Sequence, residues 1–506
     1  MSVNISDFLS KSAKAMKPSP IRALLNVVNQ PGIISFAGGF PNPQTFPIED
    51  LKRIMIEVLE EQGAKALQYG GTDGNKELRE EIAKIYIKQG LDIDRDNVII
   101  TTASQQAIDL TARIFLDPGD TVLCGLPSYL GALQAFTAAQ ADIVGVEADE
   151  ELEAVVRAMM AVGKKPKFIY AIPDFQNPTG VTMTVPQREY IVKVARKYDL
   201  IIVEDSPYRE IRFEGEHQPL ISSMAPERTI LLGTFSKTFV PGFRLGWVVA
   251  PKDFVYRYNL AKQSSDLCSP VFDQAVAAKY LQSGAFETNL KKTVELYRHK
   301  RDVMLEALEK EMPKGVTWTK PDGGLFLLMT LPHVYDTKVL FDYAIKKNVA
   351  FVIGEAFFCD GTGQNTLRMN FSFMDDDSIR EALRSLENMG ITESVRGSGN
   401  YYTGNVSKKF SEMIRTLLMI KVVSKKDICD FRRTMELSVC MTIMNKSDFD
   451  FTEIESVLNK ETTSTDDEVD KDKMFHYLLA MSSGNVFWMA IMDAVIDVYR
   501  DRKSVV

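Results

Sequence analysis

Cysteine and histidine are scarce in this chain, five and four among 506 residues. Cys124, Cys268, Cys359, Cys429 and Cys440 stand far apart, with neither the pairing of a disulfide framework nor the spacing of a zinc site. A reducing compartment is expected, and no metal is implied. A basic stripe is also missing: 60 lysines and arginines are scattered against 68 acidic residues for a net charge of −8, so no nucleic-acid partner is expected. The N-terminus lacks the apolar core of a secretory signal, which predicts a cytoplasmic protein. No long apolar run is free of charge. The most apolar stretch, 474–499, is broken by Asn485, Asp493 and Asp497, costly groups in a bilayer, and reads as buried helix with no membrane role. No tandem repeat is evident, and proline disappears after Val395: all 21 prolines precede it, while 9 of the 22 methionines follow.

What is present is an ordinary globular composition, 45% apolar and 25% charged, in a chain long enough for two to four cooperating units. Between about 95 and 250, β-branched runs alternate with helical periodicity. NVIITT (97–102), TVLCGL (121–126), ADIVGVE (141–147), KFIYAIP (167–173), LIIVED (200–205), TILLGTF (229–235) and LGWVVA (245–250) read as buried strands. This repetition predicts an α/β fold with a mostly parallel sheet and ligands at the carboxyl ends of its strands. From about 285 a long charged helix (286–312), short strands and a closing helix near 376–389 describe a smaller α+β domain. The expected division is an N-terminal arm (1–45), a large domain (46–284), a small domain (285–395), a linker (396–405) and an all-α C-terminal appendage (406–506). In the appendage Thr452 and Glu455 make a capping-box pair and 461–473 reads as a solvated acidic loop. Its methionines suit a protein partner or docking onto the rest of the chain.

The sharpest chemical signal is GTFSKTFVPGFRLGW (233–247), directly after an apolar strand. A lysine there, Lys237, can be desolvated into the neutral amine that condenses with an aldehyde. Arg244 could reach a phosphate bidentately, with Thr234 and Ser236 as hydroxyl donors to the same group. A surface lysine on a loop is the plainer alternative. TTASQQAIDLTARIF (101–115) turns from strand to helix at Ser104 and Gln105, where free amides and the helix dipole favour an anion, although a simple helix cap also explains Ser104.

Ser236-Lys237-Thr238 followed by Pro241-Gly242-Phe243-Arg244-Leu245-Gly246 closely resembles the lysine signature of the class I/II, fold type I aminotransferases that use pyridoxal 5′-phosphate. The resemblance spans about residues 5–395. It implies that Lys237 holds the cofactor as a Schiff base and moves the substrate α-proton. It assigns Asp205 (in VEDSPYRE) to the pyridine nitrogen, and Tyr208 and Asn177 (in PDFQNPTG) to the phenolic oxygen. It assigns Ser104 and Gln105 to the phosphate and Tyr129 to stacking on the ring. Arg368, in NTLRMNFS, takes the substrate carboxylate as a bidentate pair. Tyr69 reaches the phosphate of a neighbouring subunit, implying a homodimer with shared sites. FAGGFPNPQTFP (36–47) looks most like the α-aminoadipate and kynurenine branch of broad specificity, in which Gly39 lies against the substrate. Read singly, Asp205 could face solvent, Asn177 could be a plain Asn-Pro turn, Tyr129 core packing and Arg368 a surface strand residue. Ala103 departs from the pattern, since many relatives carry glycine there.

The implied reaction is ping-pong transfer of an amino group from an amino acid to a 2-oxo acid such as 2-oxoglutarate or pyruvate. The same machinery could serve a β-lyase, decarboxylase or racemase, and the fold could also act as a cofactor-sensing regulator. Arg368 favours reactions that retain the carboxylate, and no DNA-binding segment is expected, since the appendage is acidic and C-terminal.

Overall fold

The computed structural model describes residues 32–332 and 335–387 continuously, with shorter stretches at 8–15, 393–395, 399–401, 425–444 and 451–459 and isolated positions (5, 471, 474–476, 478, 479 and 482). It divides into two compact units, Met1–Asn400 and Tyr401–Val506.

All seven segments read as strands in the first unit form one sheet: β1 (Val98–Thr102), β2 (Thr121–Cys124), β3 (Asp142–Gly145), β4 (Phe168–Ala171), β5 (Ile201–Asp205), β6 (Thr229–Thr234) and β7 (Leu245–Val249). The spatial order is β1-β7-β6-β5-β4-β2-β3. β7 runs antiparallel to both of its neighbours, and the remaining pairs are parallel. Helices cover both faces. One core holds Ile99, Val122, Val203 and Ile230, and another holds Leu123, Ile169 and Ile202. Burial on both faces is why these strands read as continuous apolar runs instead of alternating ones.

A second, four-stranded sheet follows the helix Ala285–Glu311. Its order is Val352–Ile353, Thr366–Asn370, Phe326–Thr330, Thr317–Trp318, all antiparallel. Its apolar side packs with Tyr297, Met304 and Leu308 of that helix and Ile379 and Leu383 of Asp376–Glu387. Ile34–Ser35 pairs in parallel with Val349–Ala350, so the chain before residue 45 is tied to this half of the unit.

One local reading is corrected, and one feature falls inside an expected segment. Phe451 occupies the cap of helix Thr452–Leu458 without a side-chain cap hydrogen bond, so Thr452 is already helical and no capping box forms. Within the expected linker, Gly399–Tyr401 is a short strand. The second unit includes the helix Lys425–Met444, and Val439, Ile454 and Leu479 share a small buried cluster. The acidic loop and most of the apolar stretch 474–499 lie outside the described residues. Among described residues no helix is long and apolar enough to cross a membrane.

Candidate active site

Strand ends deliver the chemistry. Asp205 closes β5, Lys237 follows β6, Asn177 follows β4, and helix α1 (Ala103–Phe115) starts directly after β1. All four lie at carboxyl ends of strands that run the same way, so their side chains converge on one edge of the sheet. The second sheet supplies Arg368 from Thr366–Asn370 and Phe326 from its neighbour.

Lys237 Nζ donates to the carbonyl of Gly39 at 2.8 Å. Burial, reinforced by the positive charges of Arg368 and Arg244, lowers its pKa to about 8. A fraction of the amine is therefore neutral near physiological pH, which an amine needs to act as a nucleophile. Asp205 is buried too, and Tyr170 donates to its Oδ2 at 2.6 Å. Burial raises this carboxyl to about 7, only partly opposed by that hydrogen bond. Its Oδ1 has no hydrogen-bond partner. A buried acceptor left open on the sheet edge that also carries Lys237 calls for a donor, and a protonated ring nitrogen is such a donor.

Arg368 is almost fully buried between rings, its guanidinium carbon 4.1 Å from the centre of Phe326 and 5.1 Å from that of Phe357. It donates to Asn177 Oδ1 at 2.9 Å and to the Ala37 carbonyl at 2.7 Å, and its Nε is unpartnered. Desolvation pulls its pKa down to about 10. No carboxylate among the described residues pairs with this cation, and the open Nε can serve an incoming one. Burial pushes the Tyr208 hydroxyl well above the usual phenol range, with the nearby Arg368 charge and Asn177 only partly opposing it.

The phosphate-class groups gather separately. Ser236 Oγ accepts from Thr234 Oγ1 at 2.9 Å and lies 3.4 Å from Arg244 Nη1. Ser104 and Gln105 sit in the first turn of α1, and Gln105 accepts from the Tyr129 hydroxyl at 3.2 Å. Gly246 is demanded by this contact: a Cβ there would lie 2.5 Å from the Ala103 carbonyl carbon and 2.6 Å from the Ser104 nitrogen. Ala103 itself takes φ +59°, the left-handed region that costs an L-residue about 1–2 kcal/mol, which explains why glycine suits the position. Ala103→Gly is expected to raise stability by about 0.5–1 kcal/mol after the entropy of glycine is subtracted, measured as a shift of the denaturation midpoint at unchanged m-value.

Of the residues singled out from sequence, Tyr69 alone stays apart. It is 81% exposed on the loop after helix Ile48–Ala66. Three contributors were not singled out. Tyr170 lies inside a strand read only as apolar core, and Phe326 and Phe357 carry no motif. Asp174, three residues before Asn177, is fully buried against Arg188 at 2.8 Å, Arg209 at 2.9 Å and Arg212 at 3.6 Å. Burial works to raise its carboxyl, but Arg188 and Arg209 outweigh that and hold it low. This network fixes the base of the loop that presents Asn177, and nothing local in the sequence signals it.

Residues 33–386 match the family model described as aminotransferase class I and II. The chain belongs to that family. It is 44% identical over 388 residues to the aromatic-amino-acid aminotransferase 1 of Thermococcus litoralis, covering 75% of this chain and 93% of that protein. A 2-aminoadipate transaminase of Thermus thermophilus is 38% identical over 75% of this chain and 96% of its own. The crystal structure of the Pyrococcus horikoshii kynurenine aminotransferase, solved with pyridoxamine phosphate, kynurenine and its product, superposes with a TM-score of 0.73 at 44% identity, covering 76% of this chain and 97% of that one. As a class I/II aminotransferase of fold type I, the chain is a pyridoxal-phosphate-dependent transaminase acting on amino acids and 2-oxo acids. The unpartnered Asp205 Oδ1, the lowered Lys237 amine and the amide-bearing start of α1 fit the cofactor's ring nitrogen, aldehyde and phosphate respectively.

Proposed function

We propose that Lys237 is the residue bonded to the cofactor and the base that carries the substrate α-proton, and that aromatic amino acids are the preferred donors with 2-oxoglutarate as acceptor. The observation that carries the first part is that a desolvated amine just beyond β6 and a buried carboxylate with an open oxygen at the end of the adjacent β5 stand on the same edge of the sheet. Bound pyridoxal phosphate supplies an aldehyde that takes up the amino group and a ring that draws electrons from the carbon bearing it. Asp205 keeps a proton on the ring nitrogen. Tyr208 and Asn177 donate to the phenolic oxygen, and Tyr129 packs on the ring. Ser104, Gln105, Thr234, Ser236 and Arg244 hold the phosphate.

Arg368 orients the donor by its carboxylate, which sets the α C–H bond where Lys237 can take the proton at Nζ and return it. The donor leaves as a 2-oxo acid before the acceptor enters, and the same residues then run the sequence in reverse. Arg368→Lys keeps the charge but loses the planar fork, so kcat/KM for every amino donor is expected to fall by about 30- to 900-fold in steady-state assays, which corresponds to about 2–4 kcal/mol.

The side-chain preference rests on Phe40, which follows Gly39, is 47% exposed and meets Phe373 edge-on at 6.0 Å. An apolar aromatic rim next to the reactive amine favours large flat side chains. The names of the Thermococcus and Pyrococcus relatives agree with this choice. A panel of aromatic, branched-chain and dicarboxylic donors tests it. Higher kcat/KM for 2-aminoadipate than for phenylalanine and tyrosine would overturn the aromatic assignment without touching Lys237.

A homodimer is supported by the apolar groups left in water along helix Ile48–Ala66 and the loop beyond it: Ile56, Leu59, Leu67 and Tyr69. A second copy would cover them and bring Tyr69 to its phosphate. The scarcity of cysteine supports a cytoplasmic location.

A further inference from the structure

Two cysteines that the transamination chemistry does not use meet behind the active site. Cys124 ends β2 and is fully buried, whereas Cys359, two residues beyond Phe357, is partly exposed. Cys124 and Gly145 are register partners on the parallel strands β2 and β3, so their Cβ directions point to the same face of the sheet. Cys359 Sγ lies over that spot, 3.1 Å from where a Cβ on Gly145 would stand. The missing side chain of Gly145 makes room for the sulfur, and Cys359 packs on the same apolar cluster that contains Cys124.

The segment carrying Cys359 also touches the site from the side of the second sheet. The Ser128 amide donates to the Phe357 carbonyl at 2.8 Å, one residue before Tyr129, and the Phe357 ring lies against the Arg368 guanidinium. We propose that Cys124 and Cys359 form a reversible disulfide that pins the Phe357 turn to β2 and thereby switches amino-acid binding by Arg368.

The neighbouring Cys124 thiol holds the Cys359 pKa down at about 7, which leaves much of it as thiolate, while the adjacent Cys359 sulfur and burial push Cys124 up. The partly exposed Cys359 is therefore the attacking group. Its thiolate attacks one oxygen of hydrogen peroxide. The O–O bond breaks and the departing hydroxide takes a proton to leave as water, so Cys359 becomes a sulfenic acid. Cys124 then attacks the Cys359 sulfur. The S–O bond breaks, the hydroxide leaves as water with the Cys124 proton, and the S–S bond forms. Two thiols are oxidised and one peroxide is reduced to two waters. A dithiol reductant reverses the bond by exchange. Drawing a non-bonded sulfur contact in to an S–S bond of about 2.05 Å displaces the turn that stacks on Arg368.

The test uses the full-length holoenzyme treated with hydrogen peroxide. Peptide mass mapping without reduction should show Cys124 and Cys359 peptides joined with the loss of two hydrogens. kcat/KM for the amino donor should fall at least about tenfold, as sub-ångström to ångström misplacement of a binding group does, and dithiothreitol should restore it. Recovery by dithiothreitol separates this from methionine oxidation, which that reagent does not reverse. Cys359→Ser should have full basal activity and no peroxide response. Cys124→Ala should accumulate sulfenic acid at Cys359 with no cross-link, a readout that remains valid if burial of the new cavity lowers its stability. Equal inactivation of Cys359→Ser, both thiols still open to alkylation after peroxide, or a cross-link formed with unchanged kcat/KM would each overturn the proposal.

Discussion

Lys237→Ala is expected to lower kcat by about 10⁴-fold, because one change removes both the bond that anchors the cofactor and the base that moves the α-proton, and a positioned base alone contributes about 10²–10⁴. The phosphate-binding residues are untouched, so the variant should still take up pyridoxal phosphate, visible in its absorbance. Borohydride reduction should leave a pyridoxyl group on the Lys237 peptide of the natural enzyme and on no peptide of the variant. Labelling at any other lysine would remove the basis of the proposed mechanism. The amine is poised for this by desolvation, with Arg368 and Arg244 adding to it, and Gly39 offers it only a carbonyl acceptor, which places no opposing charge on it.

Asp205→Asn should cost about 10²–10³ in kcat, the range seen when one preorganised charge-stabilising contact is lost, with cofactor still bound. The same change should stabilise the cofactor-free chain at neutral and alkaline pH. The sign follows from proton binding. The folded Asp205 pKa of about 7 stands above its ordinary 3.8, so between those values the folded state holds a proton that the unfolded state has released. Stability therefore falls as pH rises from about 4 to about 7 and stays low above it, where folding must bury an unpaired anion. Lys237 acts in the opposite sense over a higher window. Its pKa is lowered from 10.5 to about 8, so its cost is complete below pH 8 and fades as pH climbs toward 10.5. Thermal melts of the cofactor-free protein should show Asp205→Asn melting higher than the natural chain at pH 8 and near it at pH 4.5. With cofactor bound, the natural chain should gain most, since the ring cation neutralises Asp205. A flat comparison across pH would show that Asp205 is not the buried anion described here.

These opposed windows give the site a physical logic. An amine that must lose its proton and a carboxylate that must keep a ring protonated are both disfavoured in the same dry cleft, and bound cofactor relieves both. The cost is tolerated because it is set against large cores on either side of the sheet, and because Asp174 with Arg188, Arg209 and Arg212 keeps the Asn177 loop rigid. The unit thus leaves hydrogen bonds unmet at Asp205 and Arg368, where function needs them, beside an Asp174 carboxylate answered by Arg188 and Arg209.

The seven strands, their alternation with helices and the residues at their carboxyl ends were legible in the sequence because burial on both faces writes apolar runs, and because each motif is local: a strand followed within a few residues by Lys237, Asp205, Asn177 or Ser104. The Thr452 capping box failed for the converse reason, since a four-residue pattern fixes a cap only where the chain entering the helix cooperates, and Phe451 does not. What only the tertiary structure decided is everything that joins distant positions. Tyr170 on Asp205, Phe326 and Phe357 around Arg368, and Cys124 beneath Cys359 meet across strands and between the two sheets, where no spacing along the chain records the contact. Composition and local periodicity report each residue's burial and its element. Which side chains then share a low-dielectric cleft, and so whose proton affinity changes, depends on through-space packing that a linear sequence does not spell out.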